Sequence, residues 1–370
     1  TQTNVDKASS QAVYHDRKMR QDRGIFFQEE VTVGENLYAA FSMRGDVSST
    51  MGDTEAREWY PKAAVSYQLG EVSVFDNLKL RGAYGQTGNM PQTKAKYTTL
   101  SSSNIGGING LVPSSTLGNP DIKPERTTEL EFGADFSVMG GLATVEATLY
   151  QQSIEDLILL VDEAPSSGAS NSWQNGGEME TNGLELALGL NPTSLIDLGG
   201  LDWNMHMTYY TNESEVTKLT VDPYNYGGFA TFLGTYRIEE GWSPTAIVGA
   251  DYDANGNHIE LGNENPDFRL SLRNSLSFGP LSLSFLIDHK EGGHAINLAN
   301  LIYDLGATTA DYEENGSRTA VLGGGSTAPY VESTTYTALR DLSLTYSLPA
   351  GLTEGYGLNN VQLGLALRNW

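Results

Sequence analysis

Between residues 127 and 138 the chain alternates without interruption. Leu130, Phe132, Ala134, Phe136 and Val138 share one parity, and Glu129, Glu131, Gly133, Asp135 and Ser137 share the other. A period of two belongs to an extended strand, whose side chains point to opposite faces in turn. The pattern returns with Leu184, Leu186, Leu188 and Leu190, and with Trp203, Met205, Met207 and Tyr209. It returns again where Phe268, Leu270, Leu272, Leu276 and Phe278 oppose Arg269, Ser271, Arg273, Ser275 and Ser277. About a dozen such segments occur, near 25–34, 36–48, 62–70, 78–86, 127–138, 142–161, 178–192, 201–217, 266–279, 281–289, 335–348 and 359–369. No segment of comparable length carries a 3.6-residue period, so the fold class is all-β.

The connections are of two kinds. The stretches at 138–141 (VMGG) and 278–280 (FGP) read as tight hairpin turns. Those at 88–126, 162–177, 218–265 and 290–334 are long and rich in Gly, Ser, Asn and Thr. Loops of that length inside a domain are usually functional. A soluble β-sandwich and a transmembrane barrel share the alternation, because either a core or lipid can take up the apolar face. Segments often exceed about 10 residues, against about 5–6 for a common soluble strand. Phe26 and Phe27, Tyr209 and Tyr210, and Tyr346 fall near segment ends, where an interfacial aromatic girdle would sit. Short turns on one side, long loops on the other and long strands favour an antiparallel transmembrane β-barrel.

Composition narrows the partners. The 370 residues have room for two ordinary domains or one large β domain. Against 46 acidic residues stand 22 Lys and Arg, a formal charge of −24, which argues against a nucleic-acid partner. The absence of cysteine excludes disulfides and thiolate metal sites. No run reaches the ~18 apolar residues of a membrane-spanning helix. The first twenty residues lack the apolar core of a signal peptide.

The stretch LKLRGAYGQTGN (78–89) carries Leu78, Lys79, Leu80, Arg81, Tyr84, Gly85, Thr87, Gly88 and Asn89. It resembles a signature of the SusC/RagA group of TonB-dependent outer-membrane transporters, a strand leading into a long extracellular loop. The resemblance continues in order. Arg44, Asp46 and Ser48 resemble the family's Arg-x-Asp-x-Ser strand, and Tyr60 and Pro61 its Phe-Pro-Ser strand. Asn119, Pro120, Lys123, Pro124 and Glu125, followed by an alternating strand, are similar to the family's Asn-Pro-x-Leu-Lys-Pro-Glu segment. Residues 175–188, 265–278 and 339–349 resemble later strands.

The resemblance implies that Leu78 and Leu80 lie against lipid and that Lys79 and Arg81 face a wet lumen. It places Gly85, Gly88 and Asn89 where the strand ends and the loop begins. It implies residues 1–370 as a partial barrel domain, about a dozen strands of a plugged barrel of roughly 22, with the plug and signal peptide outside this chain. It implies active import of oligosaccharides or oligopeptides across the outer membrane of a Gram-negative, Bacteroidota-like bacterium, and no enzyme chemistry. The partners it implies are outer-membrane lipid, a SusD-like surface lipoprotein and the TonB complex, the last reached through the missing N-terminal part. A passive porin or surface adhesin is the alternative.

Candidate sites lie in the loops. Trp173, Tyr224, Tyr226 and Trp242, with Phe229, Phe232 and Tyr236 beside them, are placed to stack on sugars or hold peptide side chains, or to pack the loops together. Asp251, Asp253, Asn255 and Asn257 have the alternate spacing of a calcium loop, but Gly262 stands where a bidentate Glu belongs, so an Asx-rich turn fits as well. No cofactor is expected beyond that possible structural Ca2+. His206 falls on the polar parity of its segment and reads as a lumen-lining residue.

Overall fold

The computed structural model describes residues 17–314 and 316–369. The stretch 1–16, the greater part of the segment read as no signal peptide, lies outside them. One antiparallel sheet of twelve strands dominates. Its strands are β1 (Asp22–Val33), β2 (Leu37–Ser48), β3 (Glu58–Val72), β4 (Phe75–Asn89), β5 (Glu125–Val138) and β6 (Ala143–Glu155). They continue as β7 (Gly177–Leu190), β8 (Leu201–Leu219), β9 (Pro266–Phe278), β10 (Leu281–Gly292), β11 (Tyr336–Ser347) and β12 (Gln362–Arg368). Each pairs with its neighbours in sequence, so the sheet is an uninterrupted meander. Every segment expected from alternation is present. The segment expected at 142–161 breaks after Glu155, because Asp156 takes a left-handed φ of 57° and turns the chain out of the wall.

The register lines the two parities into rows. Lys62, Gly85, Glu129, Gln152 and Thr181 are successive partners on one face. Phe132, Leu149 and Leu184 form a row on the other, as do Leu276, Leu283, Leu344 and Leu365. The polar face is concave and lines the recesses of the wall with Arg81, Glu131, Glu146, Glu185 and Thr208. The apolar face is bare: Phe132 and Leu149 are each 60 % exposed and Leu365 is 62 % exposed. Among the described residues nothing covers these rows, and an apolar surface of this extent needs an apolar solvent. Asn274 is a polar exception on the apolar parity, and it is covered. It is 5 % exposed and accepts a 3.0 Å hydrogen bond from the Trp203 indole N–H.

Buried apolar residues lie instead in the connections and at one rim, among them Met51, Ile122, Ile247, Val248, Leu301 and Tyr330. The chain is therefore a transmembrane β-barrel wall whose small protein core sits outside the membrane. The connections 34–36, 73–74, 139–142, 191–200, 279–280 and 348–361 close one end, and the loops 49–57, 90–124, 156–176, 220–265 and 293–335 crown the other. Left-handed φ angles at Met139, Gly140, Gly141 and Gly279 make the two expected hairpin turns.

Three expectations are corrected. Gly85 and Gly88 do not end β4, which runs on to Asn89; their missing side chains leave room beside Lys62 and Tyr60. Phe26 and Phe27 lie in the middle of β1, and Tyr209 and Tyr210 in the middle of β8, because strands extend past the bilayer and their ends do not mark its surface. Tyr346 does lie at the turn end of β11, opposite Leu281. The long loops are also not structureless. They contain small sheets and short helices, the longest being α1 (Leu298–Leu305), whose Asn297 cap accepts from the Asn300 N–H.

The two faces predict opposite tolerance to charge. Leu149→Arg, on the lipid row, should destabilise the folded protein in lipid vesicles by about 2–4 kcal/mol, the range for a cation near mid-bilayer. Ser275→Arg, on the lumen parity, should stay within about 0.5 kcal/mol. Urea unfolding in vesicles measures both.

Candidate functional site

The segment Asn119–Glu125 builds the rim from the backbone outward. The Asn119 side chain accepts from the Asp121 N–H at 3.0 Å, and its own N–H donates to Ala95 O at 2.8 Å. This turn buries Ile122 at 1 % exposure. Gly52 N–H donates to Ile122 O at 2.8 Å, and a Cβ at Gly52 would run into the Pro120 and Asp121 backbone. Asn175 then clamps the segment: its Oδ1 accepts from Lys123 N–H, and its amide donates to Lys123 O and Asp156 O, each at 2.9 Å. Glu125 accepts from the Asn89 side chain at 2.7 Å and from Ile158 N–H at 2.9 Å. Lys96, 8 % exposed, donates to Met51 O at 3.0 Å. Residues 119–125 thus weld the loops 49–57, 90–124 and 156–176 to each other and to the end of β4. Pro120 and Pro124 supply backbone stiffness without adding unpaired donors.

A second knot lies beside it. β3 and β4 stop pairing above Lys62 and Gly85. Tyr60 and Arg126 fill the gap. The Tyr60 hydroxyl abuts the site where a Gly88 Cβ would stand. Arg126 lies 5.4 Å over the Tyr60 ring and donates to Glu58 at 2.8 Å, Gln86 at 2.8 Å and Trp59 O at 3.0 Å. Lower on the wall, Asp135 holds Lys79 at 3.4 Å and Arg81 at 3.2 Å, and Arg81 reaches Thr148 at 2.6 Å. Leu80 lies on the opposite, apolar parity, 48 % exposed, with Tyr84 at 37 %. His206, partnered with Gly189 and Arg273, lies on the lumen parity as expected.

The loops 220–265 and 293–335 interlock into a unit of their own. Leu233 from the first packs with Leu301 and Tyr330 from the second. Asp304, 2 % exposed, is held by Arg318 at 2.6 Å, by the Tyr330 hydroxyl at 2.8 Å and by Thr309. The Arg318 guanidinium, with the two hydroxyls, keeps Asp304 well below the usual carboxylate range despite its burial. Burial, together with Asp304, pushes the Tyr330 phenol up to about 12.

The aromatic candidates are dispersed. Tyr226 stacks on Tyr236 at 5.4 Å and donates to Pro244 O at 2.9 Å. Tyr236 donates to Glu264 at 2.8 Å, which pushes its phenol up to about 12. Tyr224 lies two residues along the same strand, Tyr224–Ala230. Trp173 belongs to a separate three-stranded sheet, opposite Leu160. Trp242 docks by its backbone on Val216 of β8 and lines a cleft of about 500 Å3 with Glu213, Glu260 and Asp267. Phe229 and Phe232, 79 % and 58 % exposed, are the most open aromatics near the stacked pair.

The four oxygen-bearing candidates serve the loop itself. Asp253 accepts from the Asn255 and Asn257 N–H groups at 2.8 and 2.9 Å, an Asx turn. Asp251 instead reaches the other loop and accepts from Thr327 N–H at 3.0 Å. Among the described residues no three Asp, Glu or His side chains gather as a metal-ligand set. Sequence reading also missed Tyr60–Arg126 and Asp304–Arg318–Tyr330, since no spacing announces partners that meet through loops.

The family model described as "TonB dependent receptor-like, beta-barrel" matches residues 1–369. TonB-dependent receptor P26 of Formosa agariphila is 27 % identical over 88 % of this chain and 39 % of its own length. TonB-dependent receptor SusC of Bacteroides thetaiotaomicron is 27 % identical over 49 % of this chain and 19 % of its own length. The chain thus spans well under half of these relatives. Among solved structures, the RagAB peptide transporter superimposes with a TM-score of 0.74 at 20 % identity, covering 95 % of this chain and 43 % of that one. That similarity establishes the shared fold.

Asp304→Asn leaves the partly exposed Arg318 facing a neutral group, removes the charge-assisted hydrogen bonds at the buried carboxylate and should loosen the interlocked loops. Because the folded carboxyl titrates below its ordinary value of about 3.9, its contribution is complete above that pH and is lost as pH falls through the folded value. Amide protection factors over 298–330, taken relative to the intrinsic exchange rate at each pH, should therefore match at pH 7 and pH 5 and fall below about pH 4. Gly88→Ala sets a methyl group on the Tyr60 hydroxyl and should cost about 1–3 kcal/mol, as overpacking does.

Proposed function

Because this chain belongs to the TonB-dependent receptor-like β-barrel family, we propose that it supplies wall and outer surface to an active importer of the Gram-negative outer membrane. The observation that carries this reading is the division of the molecule. A lipid-facing apolar surface backs a polar one, and the four longest loops, 90–124, 156–176, 220–265 and 293–335, gather at a single rim. Such a wall separates a wet path from lipid and presents a recognition surface to one side.

The cargo is an oligopeptide or oligosaccharide. The likeness to the RagAB peptide importer favours peptides, and exposed Phe229 and Phe232 offer faces for apolar side chains or sugar rings. A SusD-type lipoprotein covers the crown, and the exposed hairpin near Tyr97, Leu100, Ile108 and Leu111 gives it apolar surface to rest on. Strands outside this sheet complete the barrel, since β1 and β12 each pair on one edge and an open edge cannot remain in hydrocarbon. TonB supplies the energy through a domain that lies outside this sequence.

The test is uptake of labelled peptides and oligosaccharides by cells expressing the protein that contains this segment. Uptake should stop when a protonophore collapses the inner-membrane gradient. Uptake that continues unchanged would identify a passive porin. Phe229→Ala with Phe232→Ala should weaken cargo binding about tenfold, in line with about 1–3 kcal/mol for lost stacking, and should leave the barrel's urea midpoint unchanged.

A further inference from the structure

The outer mouth holds a recess of about 570 Å3 on the lumen face between β1 and β4. Its lining includes Gln28, Arg44, Tyr60, Lys62, Gln86 and Thr87. Three features of these residues are unspent. Lys62 forms no ion pair among the described residues. The Arg44 guanidinium engages Asp46 through Nε, at 2.9 and 2.8 Å, and neither of its Nη groups forms a hydrogen bond among the described residues. Tyr60 is 5 % exposed, and its buried hydroxyl has no hydrogen-bond partner. A buried hydroxyl without a partner is a standing cost to the fold unless something else meets it.

We propose that this recess binds an anionic group carried by a small saccharide or peptide end. Lys62 and Arg44 supply the charge, and the Tyr60 hydroxyl at the Gly88 wall supplies an oriented donor. Two cations and one carboxylate, Asp46, line a recess in a chain of net charge −24. An anion repelled elsewhere on the surface is favoured here, and charge-assisted hydrogen bonds are the strong ones. The volume exceeds that of a bare ion and suits one sugar or a dipeptide. Phe26, which pairs with Arg44 on the same face, gives the body of such a ligand an apolar surface. The shared chemistry is an oxyanion, whether a carboxylate or a sulfate or phosphate ester.

The inference deepens the import reading by naming the charge of the cargo, and rests on it for its meaning. The test is independent of transport. The detergent-solubilised protein containing this segment is titrated calorimetrically at constant ionic strength with sodium glucuronate, sodium sulfate and neutral glucose. Saturable binding of glucuronate or sulfate, and none of glucose, is expected. Glucuronate alone identifies a carboxylate site, and sulfate alone a sulfate or phosphate ester site. Lys62→Gln should weaken binding at least tenfold and Tyr60→Phe several-fold. Tyr60→Phe should melt no lower than the wild type, since it removes a group that nothing satisfies in the free protein. No saturable binding, or equal binding by wild type and both variants, overturns the site and leaves import standing. A lower melting temperature for Tyr60→Phe shows that the hydroxyl has a structural partner and removes it from the site. Anion binding without energised uptake overturns the import reading alone.

Discussion

The backbone hydrogen bond is the constraint on which this structure depends. Hydrocarbon offers no partner for an N–H or a C=O, so a chain that crosses it as strands must satisfy every group from the neighbouring strand. The twelve-stranded ladder does so across its interior. Once the ladder is set, the period-two geometry leaves one row to lipid and the next to water. Phe132, Leu149 and Leu184 can be bare for the same reason that Glu129, Gln152 and Thr181 can be wet.

The apolar residues that a soluble protein would place beneath its sheet appear here at the rim and in the loops. Ile122 under its Asn-capped turn, and Leu301 with Tyr330 under Asp304, are two small cores outside the membrane. They give the loops an order that loop composition alone would not suggest. The motif residues 119–125, together with Asn175, hold the mouth's shape, and the more exposed aromatics project from the frame so formed.

The wall was legible in the sequence because its information is local. Parity in β5 or β9 can be counted by eye, and Gly140, Gly141 and Gly279 mark turns that need left-handed backbone. The crown was legible only in part. The Asp251-to-Asn257 spacing reads as a calcium loop or an Asx-rich turn, and it gives no sign that Asp251 accepts a hydrogen bond from Thr327, seventy-six residues away. Asp304 lies in an apolar helix with no hint that Arg318 and Tyr330 close on it. Gly88 reads as a strand terminator in the sequence, whereas in the fold its missing side chain makes room for the Tyr60 ring and hydroxyl. Contacts made through loops across long sequence separations leave no periodic trace.

The meander has a consequence for how such a wall comes into being. Each strand of the sheet pairs with the strand made just before it and the strand made just after it. A new hairpin therefore always meets a template that is already in place. Growth proceeds from one moving edge, with no need to thread a strand between two finished ones. The same arithmetic makes the hairpin the natural unit of insertion or loss during descent, because removing two adjacent strands and their turn leaves two edges of matching polarity that can close again.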